Sequence, residues 1–153
     1  MSRRILVTGG SRGIGRAIAL AAVGSGFDVT LTYQSRADAA NEVVAAIDAV
    51  GGIARAIALD VSNRDATRAM LESEVAARGA FYGAVCNAGV TADAPFPGMS
   101  GEAWDRVLHT NLDGFYNVLQ PLVMPMVRTR AGEPIDGATL IDEGVRSPYP
   151  RAG

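Results

Sequence analysis

Short β-branched runs alternate with longer alanine-rich stretches from Arg4 to about Met126, and the spacing of apolar positions changes with them. Ile5-Leu6-Val7 is an unbroken apolar run, as in a strand covered on both faces, and Ile14, Ala17, Ile18, Ala21 and Ala22 then recur at helical spacing. Gly24 and Gly26 supply a stop. The same alternation predicts a strand over Val29–Tyr33, a helix over Ala39–Val50 closed by Gly51-Gly52, and a strand over Ala56–Leu59. Asp60 and Ser62 stand where a helix cap belongs. They precede a helix over Asn63–Arg78 whose inner side reads as Ala66, Ala69, Met70 and Val75. Tyr82–Cys86 is the fourth strand, and Ser100 opens a segment whose long helix runs from about Trp104 through Leu108, Leu112, Phe115 and Leu119 towards Met126. Strands and helices that alternate in this way build a parallel sheet with helices on both faces. After Arg130 glycine and proline crowd the chain, and Ala138–Ile141 is the single strand to be read there.

Composition narrows the classes without choosing among them. The 153 residues are 48% hydrophobic and 20% charged, enough for one globular domain. The lone cysteine, Cys86, has no partner for a disulfide within these residues. A net charge of −2 argues against a nucleic-acid surface or a polybasic membrane patch. Met1–Val7 is too short in apolar residues for a signal-peptide core, and no run approaches the ~18 apolar residues of a membrane span. A cytoplasmic location is expected. All 14 basic residues are arginine, so chemistry that needs a lysine amine has no donor here.

The strongest candidate chemistry sits between the first strand and the first helix, in Thr8-Gly9-Gly10-Ser11-Arg12-Gly13-Ile14-Gly15. Glycine in such a turn permits positive φ, lets a ligand approach the backbone, and lets the helix pack closely on the sheet. The helix N-terminus that follows favours a pyrophosphate, so Gly9, Gly10, Ser11, Arg12, Gly13 and Ile14 are candidate dinucleotide contacts. Cofactor choice follows from charge. After Tyr33 come Gln34, Ser35 and Arg36 with no acid at the strand end, and Arg12 is a second cation within reach of a 2′-phosphate, so NADP is expected over NAD. The competing reading leaves Arg36 in a solvated loop and gives the ribose to Asp38.

With its T-G-x-x-x-G-x-G spacing, the chain resembles the short-chain dehydrogenase/reductase family, and the resemblance recurs at ordered points as far as residue 126. It implies that Asp60-Val61 contacts the adenine, that Asn87-Ala88-Gly89 flanks the ribose, and that Asn111 holds a water in the proton relay. Within the family, Asn87-Ala88-Gly89-Val90-Thr91 and Leu122-Val123-Met124-Pro125-Met126 look most like 3-oxoacyl-acyl-carrier-protein reductases. The fold implied is a truncated, three-layer, doubly wound Rossmann-type α/β sandwich with strand order 3-2-1-4. Residues 1–130 form its dinucleotide-binding domain, and 131–153 an irregular tail that adds one strand. The function implied is NADPH-dependent reduction of a 3-oxoacyl thioester, free or carrier-protein-bound, by a homo-oligomer.

One part of the family pattern is missing. The resemblance calls for a serine and a tyrosine acid followed four residues later by a lysine, yet the chain has no lysine, and Ser147 and Tyr149 lie only two apart. Loss of a positioned acid forfeits about 10²–10⁴-fold in rate, so the chain as it stands is expected to be inactive. The alternative is a catalytically dead dinucleotide-binding or interaction module. Ile135–Gly144 resembles the family's closing strand, which would put the missing block between about residues 131 and 134; otherwise Ala138–Ile141 is a shifted fifth strand. An uncovered parallel edge would favour self-association or aggregation. His109 reads as a helix-surface residue, Cys86 as a buried strand residue, Trp104, Phe115 and Tyr116 as core or interface, and no metal site is expected at Asp142-Glu143.

Overall fold

The computed structural model describes residues 3–130. β1 (Arg3–Val7), β2 (Phe27–Tyr33), β3 (Ala54–Ala58) and β4 (Gly83–Val85) form one sheet in the order β3-β2-β1-β4, every neighbouring pair parallel. The helices are α1 (Gly13–Gly24), α2 (Ala37–Asp48), α3 (Arg64–Arg78), α4 (Gly101–Leu108) and α5 (Gly114–Arg130). Alternation along β1 sorts them into layers. Leu6 joins Leu71 of α3 and Val118 and Leu122 of α5 on one face, while Val7 joins Ala19 of α1 and Ala40, Val43 and Ile47 of α2 on the other. The doubly wound three-layer architecture and strand order expected from the sequence are both present. The strand read at Ala138–Ile141 lies outside the described residues.

Several local readings need correction. β2 begins at Phe27, α2 at Ala37 and β3 at Ala54, each two residues before its predicted start. The cap of α3 is Asn63, whose side chain accepts from the Ala66 N–H at 3.1 Å. Asp60 instead accepts from the N–H and hydroxyl of Ser62 at 2.9 and 2.7 Å, closing a turn in the loop after β3. The inner face of α3 is Thr67, Leu71 and Glu74, and Ala66 and Ala69 are exposed. A buried carboxylate breaks the apolar pattern there. Glu74 is compensated by Arg55 at 2.6 Å and Arg4 at 3.5 Å, as burial of a charge requires. On α1 the buried residues are Gly15 and Ala19, while Ala17 and Ala21 are exposed and Ile14 is 73% exposed.

The long helix is two helices joined by a π-helical turn, His109–Asp113. Ser100 caps α4 by accepting from the Ala103 N–H at 3.1 Å. The widened turn shifts the phase of everything after it. Val118 and Leu122 therefore enter the core while Phe115 and Tyr116 stay exposed, as do Trp104 before the turn and Leu112 within it. No helix among the described residues is long and apolar enough to cross a membrane.

Candidate functional site

The loops after all four strands converge at the carboxyl end of the sheet around a cavity of about 520 Å³. Ligands of open α/β sheets occupy this end, beside the point where the strand order reverses, here between β1 and β4. Gly9, Ser11, Arg12, Gly13 and Ile14 line the cavity from the loop after β1, and Ser35 and Arg36 from the loop after β2. Asp60 and Val61 line it after β3, and Asn87, Ala88 and Gly89 after β4. Of the contact residues expected from the sequence, Gly10 and Asn111 do not reach the wall. Thr110, from the π-helical turn, does.

The turn after β1 owes its shape to glycine and to a hydrogen-bond knot. Gly9 and Gly13 have φ of +65° and +54°, a region that side chains disfavour. At Gly15 a Cβ would collide with the Gly9 carbonyl and stand 2.5 Å from Asn87 Nδ2. That amide donates to the carbonyls of Thr8 and Gly9, both at 3.1 Å. In return the Thr8 hydroxyl accepts from the backbone N–H groups of Asn87 and Ala88, both at 3.0 Å. Asn87 thus holds the turn as well as lining the cavity. Gly10 serves packing instead: its N–H donates to Thr32 O at 2.9 Å, and a Cβ there would stand 2.6 Å from Leu31 Cβ.

Charge at the wall is arranged for an anion. Arg12 is the N-cap of α1, without a side-chain cap bond, and no acid stands in the first turn. By contrast α3 and α4 each have a side-chain cap and an acid in the first turn. The first N–H groups of α1 are left for a ligand, at the positive end of the helix dipole. The Arg12 side chain has no partner among the described residues. Arg36 sends Nε and Nη2 to the two carboxylate oxygens of Asp38, at 3.0 and 2.9 Å. Those bonds, with a backbone N–H from Ala39, hold the Asp38 carboxyl down to about 2. Asp60 is the single carboxylate lining the cavity among the described residues.

Two residues that no motif flags fix the loop after β3. Asn117, 3% exposed, donates from Nδ2 to Val61 O at 2.9 Å and accepts from Arg64 Nε at 3.0 Å. A Cβ at Gly114 would stand 2.8 Å from Val61 Cγ2, so the helix can approach the loop only without one. The available signal was an asparagine in the inward stripe that carries Val118 and Leu122, since a buried amide requires partners. Asn117→Ala is expected to destabilise the fold by about 1–3 kcal/mol, because the Val61 carbonyl loses its donor. Thermal denaturation checks this, and an unchanged Tm would mean that water takes over the bond.

Asn111 spends both polar atoms on one neighbour. Its Oδ1 accepts from the Val90 N–H at 2.8 Å and its Nδ2 donates to Val90 O at 3.0 Å, tying the π-helical turn to the loop after β4. His109 lies on the helix surface as expected and meets Asp113, four residues on, at 2.7 Å. Cys86 follows β4 and is half-buried, and desolvation pushes its thiol up, away from the thiolate a nucleophile needs. No group of three metal-ligating side chains occurs among the described residues.

The profile of the short chain dehydrogenase family matches residues 3–136. The chain belongs to that family. Over 130 residues it is 52% identical to a 3-oxoacyl-[acyl-carrier-protein] reductase of Aggregatibacter actinomycetemcomitans, covering 85% of this chain and 54% of the relative. An acetoacetyl-CoA reductase of Shinella zoogloeoides is 40% identical over 122 residues, 80% of this chain and 48% of that one. Among solved structures, a metagenomic short-chain oxidoreductase in complex with NADP superposes with a TM-score of 0.80 at 34% identity, covering 85% of this chain and 59% of that one. This short-chain dehydrogenase is thus most like 3-oxoacyl-acyl-carrier-protein reductases, and spans about half the length of the curated relatives it matches.

Proposed function

We propose that the cavity binds NADP(H), as the nucleotide-binding part of a reductase that acts on 3-oxoacyl thioesters. The observation that carries this reading is the uncapped start of α1 beside Arg12 and Arg36, with no carboxylate among the residues that line the cavity after β2. The backbone of Gly9 and of Ser11 to Ile14 holds the pyrophosphate, and Arg12 with Arg36 the 2′-phosphate. Asp60 and Val61 hold the adenine, and Asn87, Ala88 and Gly89 flank a ribose. The cavity volume of about 520 Å³ lies in the range of small-molecule sites. The NADP complex of the metagenomic oxidoreductase and the names of the two curated relatives support cofactor and substrate class.

When bound, the nicotinamide would supply a hydride to a carbonyl carbon, and the carbonyl oxygen would then need a proton. No tyrosine of this chain is followed by a lysine, since the chain has none. Beyond its two bonds to Val90, Asn111 keeps a second Nδ2 donor and a second Oδ1 lone pair that can hold a relay water, but an amide is not an acid. These residues therefore bind and orient but do not supply the acid. NADPH titration followed by absorbance with an acetoacetyl thioester tests the reading. Saturable binding is expected, with oxidation at least about 10²–10⁴-fold slower than in a reductase that has its acid. Absence of binding sinks the cofactor assignment, and turnover at a normal rate sinks the account of the proton.

A second reading, an interaction module without turnover, is favoured by the apolar side chains left exposed along α4 and α5. Phe115 is 53% exposed, Met124 53% and Val127 55%. On that reading the partner is a second copy of the chain. Among the described residues β4 pairs only with β1, which adds an open strand edge.

A further inference from the structure

Resting on the NADP(H) reading above, we propose that Asp38 is a positioning residue for the 2′-phosphate. Its carboxylate grips one edge of the Arg36 guanidinium and so presents the other edge at the cavity.

The geometry separates the two side chains by role. Arg36 lines the cavity and Asp38 does not. Asp38 stands in the first turn of α2, where the helix dipole favours a carboxylate, and it meets Arg36 through Nε at 3.0 Å and Nη2 at 2.9 Å. A guanidinium has five N–H donors. The bidentate contact takes one from Nε and one from Nη2, which leaves both donors of Nη1 and the second of Nη2 for a ligand. That remaining edge matches two oxygens of a phosphate.

Asp38 has two opposed effects on a phosphate, and their sizes decide the sign. It subtracts charge from Arg36, but the pair is exposed, with side chains 62% and 64% accessible, so water and salt weaken this effect. It also fixes a long side chain before the ligand arrives, and that ordering would otherwise be charged against binding. Orientation outweighs neutralisation, because unpaired Arg12 still supplies a full positive charge at the same wall.

The test is titration of the full chain with NADPH, NADH and adenosine 2′,5′-bisphosphate, in the wild type and in Asp38→Ala, Asp38→Asn, Arg36→Ala and the double variant Asp38→Ala/Arg36→Ala. Asp38→Ala is expected to weaken NADPH and the bisphosphate about three- to tenfold and leave NADH unchanged. Asp38→Asn keeps an acceptor for Nε and should stay within about twofold of wild type. In the double variant the loss should equal that of Arg36→Ala alone, since Asp38 acts only through Arg36. If the wild type prefers NADPH while Asp38→Ala binds it as tightly or more tightly, Asp38 competes rather than positions and the proposal fails alone. An equal loss for NADPH and NADH also overturns it. If the wild type shows no preference for NADPH, the cofactor reading falls and the proposal with it.

Discussion

Gly15→Ala is expected to abolish measurable NADPH binding and to lower stability by about 1–3 kcal/mol. The added methyl has nowhere to go, because the Gly9 carbonyl and the Asn87 amide already meet above Gly15. Neither neighbour is the free end of a flexible side chain: one is backbone at positive φ, the other is held by two carbonyls. Relief must come from lifting the turn off α1, which moves the N–H groups that would face a pyrophosphate. Gly24→Ala is the control, at the far end of the same helix, where a Cβ would meet nothing within 4 Å. It should leave NADPH affinity unchanged. Thermal denaturation and NADPH titration of both variants decide the matter; a Gly15→Ala protein that binds within a few-fold of wild type would refute the packing argument.

Arg36→Asp should reverse the cofactor preference. NADPH affinity is expected to fall about 10- to 100-fold, the range for losing a charge-assisted contact, and like-charge repulsion adds to the loss. NADH has no 2′-phosphate and should change little, or gain where the new carboxylate accepts from a ribose hydroxyl. Raising the ionic strength should shrink the difference, because Arg36 lies in water. Dissociation constants for the two cofactors at low and high salt provide the check. An equal loss for both would remove Arg36 from the phosphate site.

The layers are legible in the sequence because short strand-length runs alternate with crossovers at helical spacing, whereas the strand order came only with the family resemblance that starts at the glycine turn after β1. Readings fail where an inward position is not apolar, or an apolar one is not inward. Glu74 faces the core because Arg4 and Arg55 meet it, and no hydropathy pattern anticipates a partner that is distant along the chain. Ile14 has the spacing of a core residue but lies on the cavity wall. The candidate site was legible where the cavity is lined by loop backbone next to glycine, as at Gly9 and from Ser11 to Ile14, though not at Gly10. It was not legible where long-range hydrogen bonds reassign a side chain, as with Asn111 on Val90 and Asn117 on Val61. The phase change at His109–Asp113 depends on one widened turn, and the residues there carry no composition that marks it.

The contact between Asn87 and the carbonyls of Thr8 and Gly9 spans 79 and 78 positions of chain. A fragment holding β1, the glycine turn and α1 would contain every letter of the fingerprint and lack the donor that shapes it. The glycine turn is therefore not a portable local motif. Its conformation belongs to the assembled sheet, since the Asn87 donor reaches it only where β4 lies beside β1.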